Sequence, residues 1–220
     1  MLRIHQIKLS LDEMQTLSQE SLRRACARAL KLPPEQIREA ILRKRSVDAR
    51  DKGDVHFTLT CDVSLADPKR EERIAKASRP NQIAPVAKAE PERDVFALPV
   101  APWPKDEPRP VVVGAGPAGL FCALVLAVRG ARPILLERGR PVDERAKDIE
   151  AFEKGGGLDS ESNVLFGEGG AGAFSDGKLT CGLSNPHIKT VLKTLHTCGA
   201  PEDILVSQRP HIGTDLLRPV

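Results

Sequence analysis

Residues 109–119 constrain the fold more than any other part of the chain, because an apolar triplet runs into a turn with three glycines and then into an apolar helix. Gly114 permits a tight turn, Gly116 lets the backbone approach a bound group, and Gly119 lets the helix pack on the preceding strand. Proline suits the first turn of a helix, and the free amides there attract phosphate groups. The pattern therefore predicts a pyrophosphate-binding turn made by Gly114, Ala115, Gly116, Pro117, Ala118 and Gly119.

The helix after this turn is expected to run to about Arg129 and to end at Gly130. Its inner face is predicted to consist of Leu120, Ala123, Leu124 and Ala127, with Cys122 as inert packing. A second apolar strand follows and ends at Glu137, which lies 18 positions after Gly119. At that spacing the second parallel strand ends beside the nucleotide ribose. A carboxylate there accepts hydrogen bonds from both ribose hydroxyls and repels a 2′-phosphate, so FAD or NAD is favoured over NADP.

Two later segments imitate nucleotide-binding motifs. Residues 167–172 match G-x-G-x-x-G, but no helix pattern follows them. Residues 172–178 match the first part of a P-loop, but Leu179 stands where a Ser or Thr would hold magnesium, which disfavours ATP binding. Nine glycines lie between Gly155 and Gly182, which indicates backbone held at positive φ or close to a flat group. We interpret this region as a loop packed beside the dinucleotide.

Residues 1–79 predict a small α+β domain. Apolar residues at helical spacing from Leu22 to Leu30 predict a helix that begins near Ser18. Apolar and polar residues alternate over 55–65, which predicts a strand with one buried face, and 3–9 is also predicted to be a strand. Residues 37–47 fit either a helix or a strand. Eight prolines between Pro80 and Pro110 predict a semi-rigid linker over 80–108, so the dinucleotide-binding domain would occupy 109–220.

Composition and charge argue against several other functions. A net charge of +3, an aromatic content of 3% and the absence of tyrosine disfavour nucleic-acid binding, and the basic runs 43–45 and 69–70 are interpreted as solvated faces. Glycines and a proline interrupt the uncharged stretch 111–128, so no membrane span is predicted. The five cysteines are scattered, and the first residues meet a charge too early and lack the apolar run that would predict a signal peptide, which leads us to expect a cytoplasmic protein.

No metal site is predicted, since Cys181, His187, His196 and Cys198 match no known ligand spacing. A redox-active Cys181 and an acid–base role for His211 stay open as minor alternatives. No catalytic residue is assigned.

Three segments together resemble a bacterial family of FAD-dependent dehydrogenase-like proteins of unassigned substrate, within the glutathione-reductase-like flavoproteins. They are residues 113–120, the acid in Leu136-Glu137-Arg138-Gly139, and the run 167–179, which reads GEGGAGAFSDGKL. Residues 46–50 and 210–215 also look like recurring segments of that family, and the likeness covers nearly the whole chain.

The resemblance implies an α/β protein in which a Rossmann-like FAD-binding βαβ unit is preceded by a small ferredoxin-like α+β domain, with 37–47 as a strand. Gly114, Gly116 and Gly119 would hold the FAD pyrophosphate, and Glu137 the adenosine ribose. The other residues that it places against the cofactor are Arg138, Arg145, Gly169 and Gly170.

The activity implied by the resemblance is hydride transfer to or from FAD, with an unassigned small-molecule substrate and NAD(P)H as a candidate electron donor. Asp176 and Lys178 are the candidates for groups near the flavin ring. Because members of the family continue beyond the position of Val220, the chain is expected to be an N-terminal portion. Two alternatives stay open: an NAD-binding protein, and a non-catalytic dinucleotide-binding or RNA-associated module.

Overall fold

The computed structural model of the protein describes residues 1–86, 102–183, 185 and 187–220. The chain divides into two compact units, Met1–Pro91 with Val206–Arg209, and Glu92–Leu205 with Pro210–Val220. Together they form a mixed α/β protein in which the described residues include a four-stranded antiparallel sheet, a separate pair of parallel strands and six α-helices. Most of the predicted linker 80–108 lies outside the described residues.

The first unit is built on the antiparallel sheet, whose strands lie in the order β2-β3-β1-β4. Its strands are β1 (Leu2–Leu9), β2 (Ile37–Asp48), β3 (His56–Leu65) and β4 (Ile83–Pro85), and its helices are α1 (Leu11–Gln15), α2 (Gln19–Leu30) and α3 (Pro68–Ala77). The segment Val206–Arg209 also joins this unit, and the Arg45 amide of β2 donates to the Val206 carbonyl at 2.7 Å.

Helix α2 covers one face of the sheet and begins where its sequence predicts. The Ser18 hydroxyl accepts a hydrogen bond from the Ser21 amide at 3.1 Å, and the Ser21 hydroxyl accepts from the Ser18 amide at 2.7 Å, which forms a capping box. The helix ends at Lys31, which adopts the left-handed conformation. Leu22, Cys26, Leu59, Cys61 and Val63 are among the fully buried residues between the helix and the sheet.

Residues 37–47, ambiguous from their pattern, lie in strand β2. Its pairing with β3 explains the outcome, because the two strands share a register that runs from Ile37 opposite Leu65 to Asp48 opposite His56. Two irregularities in that register shift the side chains and blur the alternation that would mark a strand. The sequence analysis did not predict α1, α3 or β4, and β4 lies inside the segment predicted to be a linker.

The second unit contains β5 (Val111–Val113) and β6 (Ile134–Leu136), which pair in parallel, and α4 (Pro117–Val128), which connects them. Two further helices are α5 (Val142–Glu153) and α6 (His187–Thr197). Helix α4 is followed by Gly130, whose φ is 77°. Single turns of 3₁₀ helix occur at Ala171–Phe174 and Glu202–Leu205, so no α-helix follows the second G-x-G-x-x-G match.

The β5–β6 pair has little cover among the described residues. Five of the six residues in its two strands are exposed, and only Val112 is buried. In α4 the predicted inner face is wrong at three of its four positions, since Leu120, Leu124 and Ala127 are exposed. Ala123 is partly buried as predicted, and Phe121, Val125 and Leu126 are also partly buried. The prediction of Cys122 as packing is also wrong, because this residue is exposed. The helix is apolar on all sides, so periodicity does not define the side that packs.

In the described part of the chain, no helix combines the length and apolar character needed to cross a membrane. The uncharged stretch 111–128 is divided among a strand of three residues, a turn and a helix of 12 residues.

Candidate functional site

The turn between β5 and α4 has the backbone geometry that its glycines predict. Gly114 adopts a φ of 97°, which side chains rarely tolerate, and its amide donates to the Leu136 carbonyl of the parallel strand at 2.7 Å. Gly116 is the N-cap residue of α4, and Pro117 is the first helical residue. The chain therefore leaves β5, turns sharply and enters the helix within three residues.

Gly119 fixes how closely the helix packs against this turn. A Cβ at this position would lie 1.8 Å from the Gly114 carbonyl oxygen and 3.6 Å from a methyl group of Val112. Since no side chain fits in that space, helix and strand approach each other only because this residue is glycine.

The N-terminus of α4 is open to a ligand. Among the described residues no side chain caps the helix, and its first turn contains no acidic residue. The Ala118 and Gly119 amides belong to the first turn, where the helix itself supplies no acceptor. A Cβ placed on Gly116 would meet no atom within 4 Å, so the side of the turn that this Cβ would face is free. An anion can therefore reach the first-turn amides and the positive end of the helix dipole.

Glu137 lies at the mouth of the same turn. Its Oε2 accepts a hydrogen bond from the Ala115 amide at 2.6 Å, and its Oε1 accepts one from the Gly139 amide at 2.9 Å. These two hydrogen bonds lower the pKa of the Glu137 carboxyl below its ordinary value, so the group is ionised at neutral pH. Each carboxylate oxygen can accept another hydrogen bond, which leaves the group able to bind hydroxyls of a ligand.

The second glycine-rich segment packs directly on the turn. The Gly169 amide donates to the Ala115 carbonyl at 2.9 Å. A Cβ on Gly170 would lie 3.4 Å from both the Gly116 Cα and the Pro117 Cδ. Gly167, Gly169 and Gly170 all have positive φ, between 64° and 109°. The structure thus brings the two predicted glycine segments together in one site, although 47 residues separate Gly119 from Gly167 in sequence.

Arg145 holds this second segment in place and does not face open space. Its side chain is fully buried, and its guanidinium donates to the carbonyls of Asn163, Glu168 and Gly170 at 2.6–3.3 Å. The guanidinium also lies 4.8 Å from the centre of the Phe174 ring. Burial lowers the pKa of Arg145 from its high ordinary value. We therefore assign it a positioning role within the loop.

Arg138 lies outside the turn. Its guanidinium forms a 2.7 Å ion pair with Glu161 and lies 4.8 Å from the centre of the Phe166 ring. Its side chain is paired within the protein, whereas its backbone amide is one of the groups that lower the pKa of the Glu137 carboxyl.

The other segment of the resemblance, 172–179, pairs with 210–213. The Leu179 amide donates to the Pro210 carbonyl at 2.9 Å, and the Ile212 amide donates to the Gly177 carbonyl at 3.2 Å. Asp176 and Lys178 form a 3.0 Å ion pair with each other. Two segments that were singled out separately in the sequence therefore form one structural element.

Two residues that the sequence analysis missed also stabilise the site. The Glu168 carboxylate accepts a hydrogen bond from the Val142 amide in the first turn of α5 at 2.8 Å, and Phe174 stacks on Arg145. A capping carboxylate can be predicted from the sequence when it lies next to the first residue of the helix. Glu168 lies 26 residues after Val142, so its capping role cannot be predicted in this way. No local signal identifies either contact.

The cysteines and histidines of the second unit do not converge. Nowhere in the described ranges do three or more His, Cys, Asp or Glu side chains form a group that could hold a metal ion. The His196 Nδ1 lies 2.8 Å from the Ala200 carbonyl oxygen, and Cys181 and Cys198 are exposed thiols.

Comparison with known proteins gives two similarities. Residues 1–64 match a family described as "Domain of unknown function (DUF8436)". The chain is also 40% identical over 219 residues to an uncharacterized protein of Clostridium beijerinckii, and the match covers 100% of this chain and 39% of that protein. The chain thus spans well under half the length of this relative, and neither description names an activity, a cofactor or a substrate.

Proposed function

We propose that residues 109–220 bind FAD and form the nucleotide-binding part of a flavin-dependent oxidoreductase. In this proposal β5, α4 and β6 are a Rossmann-like unit, and the first unit is a ferredoxin-like domain. The observation that carries the proposal is the position of Glu137, whose carboxylate lies 2.6 Å from the Ala115 amide at the mouth of the glycine turn. An acid at the end of the second parallel strand, next to a helix N-terminus, is the arrangement that binds a dinucleotide.

Each part of the turn has a distinct role in the proposal. The first-turn amides of α4 bind the diphosphate, and Gly116 supplies the space that lets it approach. Glu137 accepts hydrogen bonds from the adenosine ribose, for which both of its oxygens have free lone pairs. Gly169 and Gly170 extend the wall of the site, and Arg145 keeps them in position through its bonds to their backbone. The positions of all these groups fit a diphosphate linked to a ribose.

FAD is preferred to NAD because of the glycine-rich segment that packs on the turn. Gly169 and Gly170 are held at positive φ against Ala115 and Gly116, so the backbone there presents a surface without side chains close to the diphosphate site. Such a surface allows a large flat group to lie near the backbone. The resemblance to FAD-dependent dehydrogenase-like proteins points in the same direction.

When bound, the flavin would supply the hydride chemistry, and the protein would position it and exclude water. A nicotinamide dinucleotide is the electron donor to test, and the substrate is left unassigned. Parallel strands are normally covered on both faces, whereas β5 and β6 expose most of their apolar side chains here. We therefore expect the active protein to cover these strands with further polypeptide.

The proposal is tested by titrating the purified chain with FAD and, separately, with NADH. We expect saturable FAD binding that quenches flavin fluorescence, and binding about tenfold weaker in Glu137→Gln, since one charged acceptor is lost. Glu153→Gln is the matched control, because Glu153 is an exposed glutamate at the end of α5. If the chain binds NADH but not FAD, the proposed cofactor becomes NAD. Binding of neither, or salt-dependent binding of RNA alone, would overturn the proposal.

A further inference from the structure

A polar cleft lies on the face of the first-unit sheet that is turned away from the apolar core. It has a volume of about 280 Å³ and is lined by His5, Gln6, Lys44, Ser46, Thr58, Thr60 and Asn81. Thr58 and Thr60 alternate along β3 with the buried Leu59 and Cys61, which places the threonines on the opposite face. The register sets Ser46 opposite Thr58 and Lys44 opposite Thr60. Three neighbouring strands therefore contribute to one cleft.

Hydrogen-bond donors dominate the lining. The cleft contains an ammonium group, two carboxamides, three hydroxyls and an imidazole, and none of its seven side chains is acidic. The Ser46 hydroxyl donates to the Thr58 carbonyl at 3.3 Å, and the Thr60 hydroxyl lies 3.4 Å from the His5 Nδ1. Among the residues that the structure describes, the Lys44 ammonium has no ion pair or hydrogen bond. A free cation surrounded by neutral donors favours an anionic ligand.

The buried carboxylate of Asp62 does not neutralise this charge. Asp62 follows Thr60 by two positions on the same face, but both of its oxygens are bound by arginines. Arg3 and Arg43 share this one carboxylate, and each lies 2.7 Å from it. Lys44, Arg3, Arg43 and Asp62 therefore give three cations and one carboxylate on this part of the sheet, while the pairs Lys8–Asp54 and Arg50–Asp48 add no net charge. The local field is positive, which attracts an anion from solution.

The backbone beneath the cleft is distorted. The pairing of β1 with β3 changes register between Ile4 and Ile7, so His5 and Gln6 together face Thr60. Gln6 adopts a φ of 59°, a left-handed conformation that costs a non-glycine residue energy. Bulges of this kind redirect side chains and occur often beside binding sites. Without this bulge, His5 and Gln6 would point to opposite faces of the sheet.

We propose that this cleft binds the phosphate group of a small phosphorylated molecule. Lys44 supplies the charge, and the hydroxyls of Thr58 and Thr60, with the Gln6 and Asn81 amides, supply neutral donors. The volume suits a phosphate with a small organic group, because larger ligands occupy bigger pockets. A single-stranded nucleic acid is disfavoured, since the lining contains no Phe, Tyr or Trp ring on which a base could stack. The cleft lies within the first unit, and this proposal does not rest on the proposed FAD binding by the second unit.

The test is a titration of the full, isotopically labelled chain with inorganic phosphate, followed by amide NMR at constant ionic strength. NMR resolves the two units, so phosphate at the α4 turn and phosphate at this cleft are observed separately. We expect saturable shifts at the amides of Lys44, Thr58 and Thr60. Lys44→Gln should weaken this binding about fivefold or more, and Thr60→Val about threefold. Lys52→Gln, which removes an exposed lysine from the loop between β2 and β3, should leave the affinity unchanged.

Three results would overturn the proposal. The first is the absence of saturable shifts at the cleft. The second is an equal loss of affinity in Lys44→Gln and Lys52→Gln, which would indicate general attraction to surface charge. The third is that a ten-nucleotide RNA shifts the same amide signals while inorganic phosphate does not.

Discussion

Asp62 provides a stringent test of the physical reasoning for the first unit, because it is a buried carboxylate on the polar face of the sheet. Its side chain is 1% exposed. The Arg3 Nε donates to its Oδ1 at 2.7 Å and the Arg3 Nη2 to its Oδ2 at 2.9 Å, while the Arg43 Nε donates to the same Oδ2 at 2.7 Å. In the variant Asp62→Asn the shape is kept, but the charge and one acceptor oxygen are lost.

The expected cost is about 2 kcal/mol of the free energy of unfolding. Hydrogen bonds to charged groups contribute about 1.5–3 kcal/mol each when they are buried. Here the side chains of Arg3 and Arg43 are 42% and 43% exposed, so water hydrates them once the carboxylate is gone. Their pairs are therefore nearer to surface ion pairs, which contribute about 1 kcal/mol or less each. Two such pairs at the upper end of that range sum to about 2 kcal/mol, because the carboxylate that they share is buried.

The loss should depend on pH in a defined direction. Burial on its own raises the pKa of Asp62, but the hydrogen bonds from Arg3 and Arg43 outweigh burial and lower it below the ordinary value. A carboxyl whose pKa is lower in the folded than in the unfolded state stabilises the fold above the unfolded pKa, which is about 3.9. That stability disappears as the pH falls through the folded pKa. The difference between the wild type and Asp62→Asn should therefore shrink below about pH 4.

Hydrogen exchange of β3 peptides in urea, followed by mass spectrometry at pH 7 and pH 3, measures this difference. Asp54→Asn is the matched control, since Asp54 pairs with Lys8 on the surface and its loss should leave exchange in β3 unchanged. A cost below about 0.5 kcal/mol at pH 7, or a cost that stays the same at pH 3, would refute the account of Asp62.

Three further substitutions test individual contacts. Gly119→Ala places a Cβ 1.8 Å from the Gly114 carbonyl oxygen, so it should lower the free energy of unfolding by about 2 kcal/mol or more. Urea unfolding followed by the fluorescence of Trp103, the chain's single tryptophan, measures this loss. An unchanged unfolding midpoint would contradict this packing. Arg145→Met leaves buried carbonyls unpaired and should lower the free energy of unfolding by about 3 kcal/mol. Hydrogen exchange over 163–172 should become faster, and unchanged exchange there would exclude the positioning role. Ser18→Ala removes the cap of α2 and should cost about 1 kcal/mol, seen as faster exchange confined to the first unit.

Local signals were sufficient for the elements with strong local chemistry. Ser18 indicates the start of α2 because its cap involves only neighbouring residues. The alternation over 55–65 predicts β3, whose apolar residues Leu59, Cys61, Val63 and Leu65 lie in the core of the first unit. Gly114, Gly116 and Gly119 predict the turn because each meets a backbone requirement set within a few residues.

The remaining features depend on contacts between distant residues. Strand β2 was ambiguous because its irregular register is determined by β3, and strand β4 has only three residues. The role of Arg145 could not be predicted, because its partners lie 18 to 25 residues away and are backbone carbonyls, which carry no sequence signal. The polar cleft was also missed, since it is formed by side chains from three strands that come together only in the folded sheet.

The proposed function requires that a diphosphate binds in the open space beside Gly116. Gly116→Ala tests this claim directly, because alanine tolerates the φ of −74° and ψ of 178° found there and its Cβ would touch no protein atom within 4 Å. Gly157→Ala is the matched control, a second glycine whose Cβ would also meet open space. We predict that both variants unfold at the wild-type urea midpoint, and that FAD affinity falls at least about tenfold in Gly116→Ala alone. Equal FAD affinity in Gly116→Ala and the wild type would contradict the claim.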